Sequence, residues 1–336
     1  MAKVAIIGAS GYTGLELLRL FLRHPGIEVT TLVTRQPDAP HIADVHPSLR
    51  GRLDLRLEQL TPNQIAERAD YAFACLPHAA SAALIKQLLE AGLKVVDLSA
   101  DYRLTDRAVY EKWYGVTHPD PDRLGKVAYG LPELYRTRIA ESDLVANPGC
   151  YPTSAILALA PLLKAGVISA EGIVIDSKSG VSGGGRDPKP AFHFPECNES
   201  LTPYGVGTHR HMPEIDQVLS DACGRVVETV FTPHLIPMDR GILSTCYATP
   251  VAGVDQQKLL ATLTEFYHAE PFVEVVEGLP ATKHVAGSNR CHVTARLVRG
   301  RAVVISAIDN LIKGAAGAAV QNFNLMSGQA EATGLV

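Results

Sequence analysis

The residues best suited to chemistry begin with a single cysteine. It lies in Asn147-Pro148-Gly149-Cys150-Tyr151-Pro152-Thr153, after a β-prone run from Asp143 to Asn147 and before the apolar, helix-like stretch Ser154 to Leu163. A thiol near a helix amino terminus has its pKa lowered by the N–H groups there, and those groups can also receive the oxyanion formed when a carbonyl is attacked. A lone cysteine is more often a small buried hydrophobe, but the glycine turns around Cys150 favour a nucleophile. A second run, Thr208-His209-Arg210-His211-Met212-Pro213-Glu214, precedes an amphipathic helix through Ile215, Val218, Leu219 and Ala222 that closes at Gly224. Pro213 suits its first turn. Two histidines two apart can ligate a metal from a strand, yet no third ligand stands at characteristic spacing, so no metal is expected. Acid–base work suits them better: an imidazole can hold a thiolate and later protonate an alkoxide, with Glu214 placed to orient it. The plainer alternative is a pair of histidines packed around a helix start.

A glycine turn offers the binding counterpart. Lys3 to Ile7 runs into Gly8-Ala9-Ser10-Gly11-Tyr12-Thr13-Gly14, after which Leu15, Leu18 and Leu22 recur at helical spacing. Glycines at 8, 11 and 14 let the backbone turn tightly and approach a pyrophosphate that the helix amino terminus attracts. The spacing is GxxGxxG, a variant of the usual dinucleotide fingerprint. After the second strand, Val29 to Val33, an NAD site usually carries an acid; here Thr34-Arg35 stands instead. Arg35 can pair with a ribose 2′-phosphate, which favours NADPH, or it is a solvated surface arginine. Further loops lie where open α/β sheets place ligands: Cys75-Leu76-Pro77-His78, and Asp97 to Arg103. Arg103 can grip a substrate phosphate or form a structural salt bridge. Ser177 to Arg186 follows a strand at Ile173 to Asp176 and is too glycine-rich to pack as an element; it cradles an anion or is simply a flexible loop.

These groups need a scaffold. Further strands at Ala69 to Leu76, Lys94 to Leu98 and Leu144 to Asn147, with a helix over Ala79 to Ala91, continue the alternation from the amino terminus. The expected fold class is α/β: a Rossmann-type, doubly wound, mostly parallel sheet. From Arg225 onward β-prone runs dominate (Val226 to Phe231, Leu243 to Thr249, Phe272 to Val276, Cys291 to Val298, Ala302 to Ile308), pointing to a second, α+β domain with a mixed sheet. Asp309 to Gln321 joins a loop to a small-residue helix, which either returns to the first domain near the cofactor or is a terminal helix with only a packing role. The expected boundaries are 1–147 for the dinucleotide domain, completed by 310–336, and 148–309 for the catalytic, substrate and oligomerisation domain.

Composition narrows the function. The 336 residues are 46% hydrophobic and 20% charged, as in soluble globular chains, and suit two domains. With 31 basic against 35 acidic side chains there is no basic footprint for nucleic acid. No apolar run reaches the roughly 18 residues of a membrane span, and Val4 to Ile7 is too short for a signal-peptide core, so a cytoplasmic, non-membrane protein is expected. Six scattered cysteines without a CxxC pair argue against disulfides and a thiolate metal site.

Taken together, several motifs resemble the N-acetyl-gamma-glutamyl-phosphate reductase family, within the aspartate-semialdehyde dehydrogenase superfamily. They are GASGYTG at 8–14, SADYR at 99–103, YGLPEL at 129–134, ANPGCYPT at 146–153, SGVSGGGR at 179–186, HRHMPEI at 209–215 and NLIKGAAGAAVQ at 310–321. The resemblance covers nearly the whole chain. It implies NADPH-dependent reduction of an acyl phosphate to an aldehyde in arginine biosynthesis, with Cys150 as the nucleophile that forms a thioester. Related reductases act on aminoadipyl or aspartyl phosphate, and one methylene of pocket length separates such substrates weakly. The wider superfamily places its histidine just after an RG turn; here Arg240-Gly241 is followed by Ile242, so the acid–base role falls to His211, ahead of His209, with Glu214. The cofactor residues so implied are Gly8, Ser10, Gly11, Tyr12, Thr13, Gly14, Thr34, Arg35, Cys75, Pro77, Ser182, Gly183, Asn310, Lys313 and Gly314. Arg103, Asn147, Ser179, Arg186 and Arg210 are assigned to the small-molecule substrate. A homo-oligomer, dimer or tetramer, is expected.

Overall fold

The computed structural model describes residues 1–35 and 38–336, which divide into two compact units: Met1–Pro148 with Ala315–Val336, and Gly149–Gly314. In the first unit β1 (Ala2–Ile7), β2 (Ile27–Val33), β3 (Leu57–Glu58), β4 (Tyr71–Ala74), β5 (Lys94–Asp97), β6 (Ala128–Tyr129) and β7 (Leu144–Ala146) make one sheet. Its order is β3-β2-β1-β4-β5-β7-β6, parallel at every pairing. Connecting helices are α1 (Tyr12–Phe21), α2 (Ile42–Val45), α3 (Pro62–Ala66), α4 (Ala82–Glu90), α5 (Arg107–Tyr114) and α6 (Pro132–Ala140).

Successive residues of β1 explain why the sheet is covered on both faces. Val4 and Ile6 join one core with Leu32, Phe73 and Val96, whereas Ala5 and Ile7 join the other with Val33, Ala72, Ala74 and Val95. Side chains of a strand alternate between faces, so an unbroken apolar run requires two apolar environments.

The second unit holds β8 (Ile173–Gly180), β9 (Thr202–Pro203), β10 (Thr229–Ile236), β11 (Ile242–Ala248), β12 (Val273–Val275), β13 (Cys291–Val298) and β14 (Arg301–Ile308). They are ordered β12-β13-β14-β11-β8-β10-β9, with β8/β10 and β12/β13 parallel and the remaining pairs antiparallel: a mixed sheet. Its helices are α7 (Cys150–Lys164), α8 (Phe194–Cys197), α9 (Met212–Cys223), α10 (Gln256–Tyr267) and α11 (Thr282–Val285). Every residue of α7 from Tyr151 to Leu163 is buried, because the helix packs on α9, α10, β11 and β14. The chain then passes through a π-helical turn, Ile312–Ala316, into α12 (Gly317–Met326), whose Phe323 packs edge-on to Tyr71 at 4.9 Å in the first unit.

The glycine-rich run expected to be a loop is partly strand. β8 continues to Gly180 because it is bonded to β10 on one side and β11 on the other, and a Cβ at Gly180 would lie 2.4 Å from the Asp239 carbonyl oxygen, so only glycine fits. Residues 181–184 form a 3₁₀ turn. The strand expected from Val226 starts at Thr229 instead, in register with Ile173 of β8. β3, β6 and β9 have two residues each, too few to leave a periodic signal. Among the described residues no helix is long and apolar enough to cross a membrane.

Candidate active site

Cys150 is the first residue of α7, and Gly149 before it is the N-cap in an extended conformation, with no side chain capping the helix. Gly149 has no side chain with which to cap this fifteen-residue helix, whose first-turn N–H groups have no partner within the helix itself. Cys150 is partly exposed, whereas Cys246, the buried thiol of β11, is pushed up to about 12 by burial first and Asp176 second.

What seats α7 is a rung of serines. Ser244 of β11 stands directly opposite Ser177 of β8 and Ser306 of β14. Ser154, one turn beyond Cys150, donates to Ser244 Oγ at 2.8 Å, Ser177 and Ser244 hydroxyls lie 2.7 Å apart, and Ser306 donates to the Ser154 carbonyl at 2.8 Å. All four are fully buried. Small side chains let the helix approach the sheet closely, and directional bonds between them fix its rotation where apolar contacts would let it slide.

The histidine run meets the cysteine turn within the same unit. Glu214, buried in the first turn of α9, accepts the Gly149 N–H on Oε1 at 2.8 Å. The His211 ring lies against Gly149: a Cβ there would come within 2.4 Å of Nε2 and 2.9 Å of Cε1. Gly314 approaches from the other side, where a Cβ would fall 2.9 Å from Cys150 Cβ. Gly314, expected on the cofactor, lies beside the cysteine in the π-helical turn.

His209 has a different situation. Its ring is boxed by Tyr151, Tyr204 and Phe231 with centroids 5.6, 5.3 and 5.4 Å away, and its Nδ1 accepts the His211 N–H at 3.1 Å. Burial first, then the Arg210 charge, lowers its pKa to about 4, so it is neutral at physiological pH. Tyr204 donates to the Tyr151 hydroxyl, which donates to the His234 carbonyl at 3.1 Å. This aromatic box went unnoticed in the sequence because its members come from α7, the 204–211 segment and β10, with only the residue types as a signal.

Other expected site residues are built into the fold. Arg103 is buried and donates from Nε to the Asn147 carbonyl at 2.8 Å and from Nη2 to the Leu98 carbonyl at 2.9 Å, tying the ends of β5 and β7. Asn147, expected on the substrate, bonds the Ala315 carbonyl and accepts from Asn322 at 3.0 Å. Asn310 accepts the Gly241 N–H at 2.7 Å and donates to Ser182 Oγ at 3.0 Å, and Ser182 donates to the Asp239 carbonyl, so both side chains knit loops together. Ser179 is buried with Oγ bonded to the Gly180 carbonyl, near Gly183. Lys313, expected on the cofactor, is wholly buried, with its ammonium 5.6 Å from the Phe272 ring centroid inside the second unit. Arg186 and Arg210 remain exposed.

In the first unit the glycine turn has the shape that a dinucleotide needs. Gly8 has φ +81°, and a Cβ on it would sit 2.5 Å from the Cys75 carbonyl, so the turn abuts the end of β4. A Cβ at Gly14 would meet Ala9 Cα at 2.7 Å, which brings α1 hard onto the turn. Gly11, the N-cap of α1, has only the Gly8 oxygen within 4 Å of such a Cβ, at 3.9 Å, and no side chain caps the helix. Ser10, Tyr12 and Thr13 complete this rim, Tyr12 being 36% exposed. An uncapped helix amino terminus with no acid in its first turn, approached through glycine, fits a pyrophosphate. Arg35 is exposed and donates from Nη2 to the Ala80 carbonyl at 3.2 Å; Thr34 N–H bonds the Glu58 carbonyl. Pro77 is exposed beside Cys75, whose thiol is raised far above its usual pKa by burial and then by Asp97.

The chain is similar to known proteins over its whole length. Residues 3–142 match the family model described as semialdehyde dehydrogenase, NAD binding domain, and residues 150–310 match semialdehyde dehydrogenase, dimerisation domain. N-acetyl-gamma-glutamyl-phosphate reductase of Geotalea daltonii is 52% identical over 340 residues, covering 100% of this chain and 98% of that protein. The enzymes of the same name from Rhodopirellula baltica and Moorella thermoacetica are 50% and 49% identical, covering 99% and 100% of this chain and 98% of each relative. Among solved structures, aspartate semialdehyde dehydrogenase II of Vibrio cholerae superposes with a TM-score of 0.74 at 17% identity, over 98% of each chain. The Candida albicans aspartate semialdehyde dehydrogenase with NADP gives 0.72 at 14%, over 97% of this chain and 98% of that one. The first unit thus carries a nicotinamide-dinucleotide-binding domain. On identity sustained over its full length, the chain belongs to the N-acetyl-gamma-glutamyl-phosphate reductase family of oxidoreductases.

Proposed function

We propose that the protein reduces N-acetyl-gamma-glutamyl phosphate to N-acetylglutamate semialdehyde with NADPH, releasing phosphate, as a step of arginine biosynthesis. The observation that carries the chemistry is Cys150 at the uncapped start of α7, with Glu214 on the Gly149 N–H and His211 against Gly149. In this reading the Cys150 thiolate attacks the acyl carbon and the C–O bond to phosphate breaks, leaving a thioester. Amide donors at the start of α7 stabilise the oxyanion in each tetrahedral step. Phosphate departs as an anion toward the exposed Arg186 and Arg210 and toward Arg103. Residues 8–14 would hold the pyrophosphate of the dinucleotide and Arg35 its ribose 2′-phosphate, and the bound cofactor would supply the hydride. His211 moves the proton that accompanies thiohemiacetal collapse; His209, held neutral in its aromatic box, keeps the His211 backbone in place. Glu214 fixes the turn that presents the sulfur.

NADPH is favoured over NADH because Thr34-Arg35, not an acid, follows β2. The chain is taken to act as a homo-oligomer, a reading supported by the dimerisation-domain match over residues 150–310. The test is absorbance at the nicotinamide band in the aldehyde-oxidising direction with phosphate, comparing the N-acetylglutamate, aspartate and aminoadipate semialdehydes. Phosphate-dependent NADPH formation with the first alone is expected; preference for either of the others would replace the substrate, and no phosphate dependence would remove the acyl-phosphate chemistry.

A further inference from the structure

His46 lies between α2 and a 3₁₀ turn at Pro47–Leu49, in a stretch with no chemical signature in the sequence. It is 5% exposed, and its Nε2 is 2.9 Å from the carbonyl oxygen of Ala9, inside the glycine turn. The carbonyl can only accept, so Nε2 carries the proton. The backbone that carries the imidazole is anchored: the His46 N–H donates to the Ile42 carbonyl at 2.8 Å, the Leu49 N–H donates to the His46 carbonyl at 2.9 Å, and Ile42 and Leu49 are fully buried in the core that also holds Leu17 and Leu18 of α1.

The peptide plane transmits this bond. In a trans peptide the C=O and the next N–H point in opposite directions, and the described residues contain no cis bond. Fixing the Ala9 carbonyl toward His46 therefore directs the Ser10 N–H away from it, to the other side of the turn. Without the imidazole, the Ala9 carbonyl, on a fully buried residue, lacks this donor, and the Ala9–Ser10 peptide can turn about the Ala9 ψ and Ser10 φ bonds to recover one. We propose that His46 is a positioning residue that sets the Ser10 N–H toward the dinucleotide's pyrophosphate, acting through Ala9. This rests on the reading of residues 8–14 as the cofactor cradle.

The test measures NADPH dissociation constants by fluorescence titration of the full-length protein and of His46→Ala, His46→Gln and His46→Asn, with near-UV circular dichroism for folding. A glutamine amide can reach the position of Nε2 and donate; the shorter asparagine cannot. His46→Ala and His46→Asn are expected to weaken NADPH binding by roughly 5- to 10-fold, the effect of one hydrogen bond, and His46→Gln to stay within about twofold of wild type. The rate of Cys150 alkylation by iodoacetamide should not change. If His46→Ala fails to fold, the comparison of His46→Gln with His46→Asn decides. Equal affinity in all folded variants, or equal weakening by Gln and Asn, overturns the positioning role while leaving the cofactor reading intact. Absence of NADPH binding by the wild-type protein overturns both.

Discussion

Adding one methyl group at Gly149 should separate catalysis from stability. Gly149 has φ −69° and ψ 153°, which alanine adopts freely, so no backbone strain arises. The new Cβ would lie 2.4 Å from His211 Nε2 and 2.8 Å from Cδ2, whereas unstrained carbon contacts lie at roughly 3.5 Å. The imidazole must therefore retreat by about 1 Å, and a displacement of that size can cost on the order of 100-fold in rate. Overpacking should also cost about 1–3 kcal/mol of stability, which a two-domain chain of this size tolerates. Gly149→Ala is thus expected to stay folded and bind NADPH normally, to lose about two orders of magnitude in kcat, and to show a shifted pH profile for Cys150 alkylation. Gly278→Ala, where nothing lies within 4 Å of the added atom, serves as the control. Wild-type kcat in folded Gly149→Ala would refute the idea that the close seating of His211 on the cysteine turn matters to the reaction.

Cys150→Ala should abolish turnover and leave NADPH affinity unchanged; quenched-flow mass spectrometry of the wild type should find an acyl adduct on Cys150, and an adduct elsewhere would reassign the nucleophile. Arg35→Ala should lower kcat/KM for NADPH by about 10- to 100-fold, as expected for one charge-assisted contact, with NADH kinetics unaltered. Equal losses with both cofactors would show that Arg35 does not read the 2′-phosphate. His209 should affect stability rather than the activity profile near neutrality. Its pKa is lowered to about 4 from an unfolded value near 6.5, so above pH 6.5 both states are neutral and its protonation does not oppose folding. As the pH falls from 6.5 toward 4, the unfolded chain gains a proton that the folded one does not, costing at most about 3 kcal/mol. His209→Gln should flatten that part of the melting-temperature curve; an unchanged slope would place the acid sensitivity on other groups.

Local patterns carried much of the fold. Val4 to Ile7, the glycine turn and the Leu15-Leu18-Leu22 repeat specify strand, turn and helix within one stretch of chain, because hydrophobic period and backbone freedom are properties of neighbouring residues. The same holds for Cys150 before an apolar helix and for Pro213 in the first turn of α9. The two-residue strands β3, β6 and β9 escaped for the converse reason: only a neighbouring strand makes them strands.

Side-chain purpose was harder to read than position. Arg103, Asn310 and Lys313, expected on ligands, also make contacts inside the fold: Arg103 with main-chain carbonyls, Asn310 between two loops, and the Lys313 ammonium beside the Phe272 ring. His209 and His211 are two residues apart, yet one is enclosed by Tyr151, Tyr204 and Phe231 while the other faces Gly149. From the sequence alone came the element types, the alternation that makes a parallel sheet, and the turns able to approach an anion or a carbonyl. Tertiary structure alone decided which polar groups are already bonded, which histidine is held neutral, and that His46 reaches Ala9 across 37 residues. Burial and hydrogen-bond partners depend on what the rest of the chain brings alongside, and no local pattern encodes that.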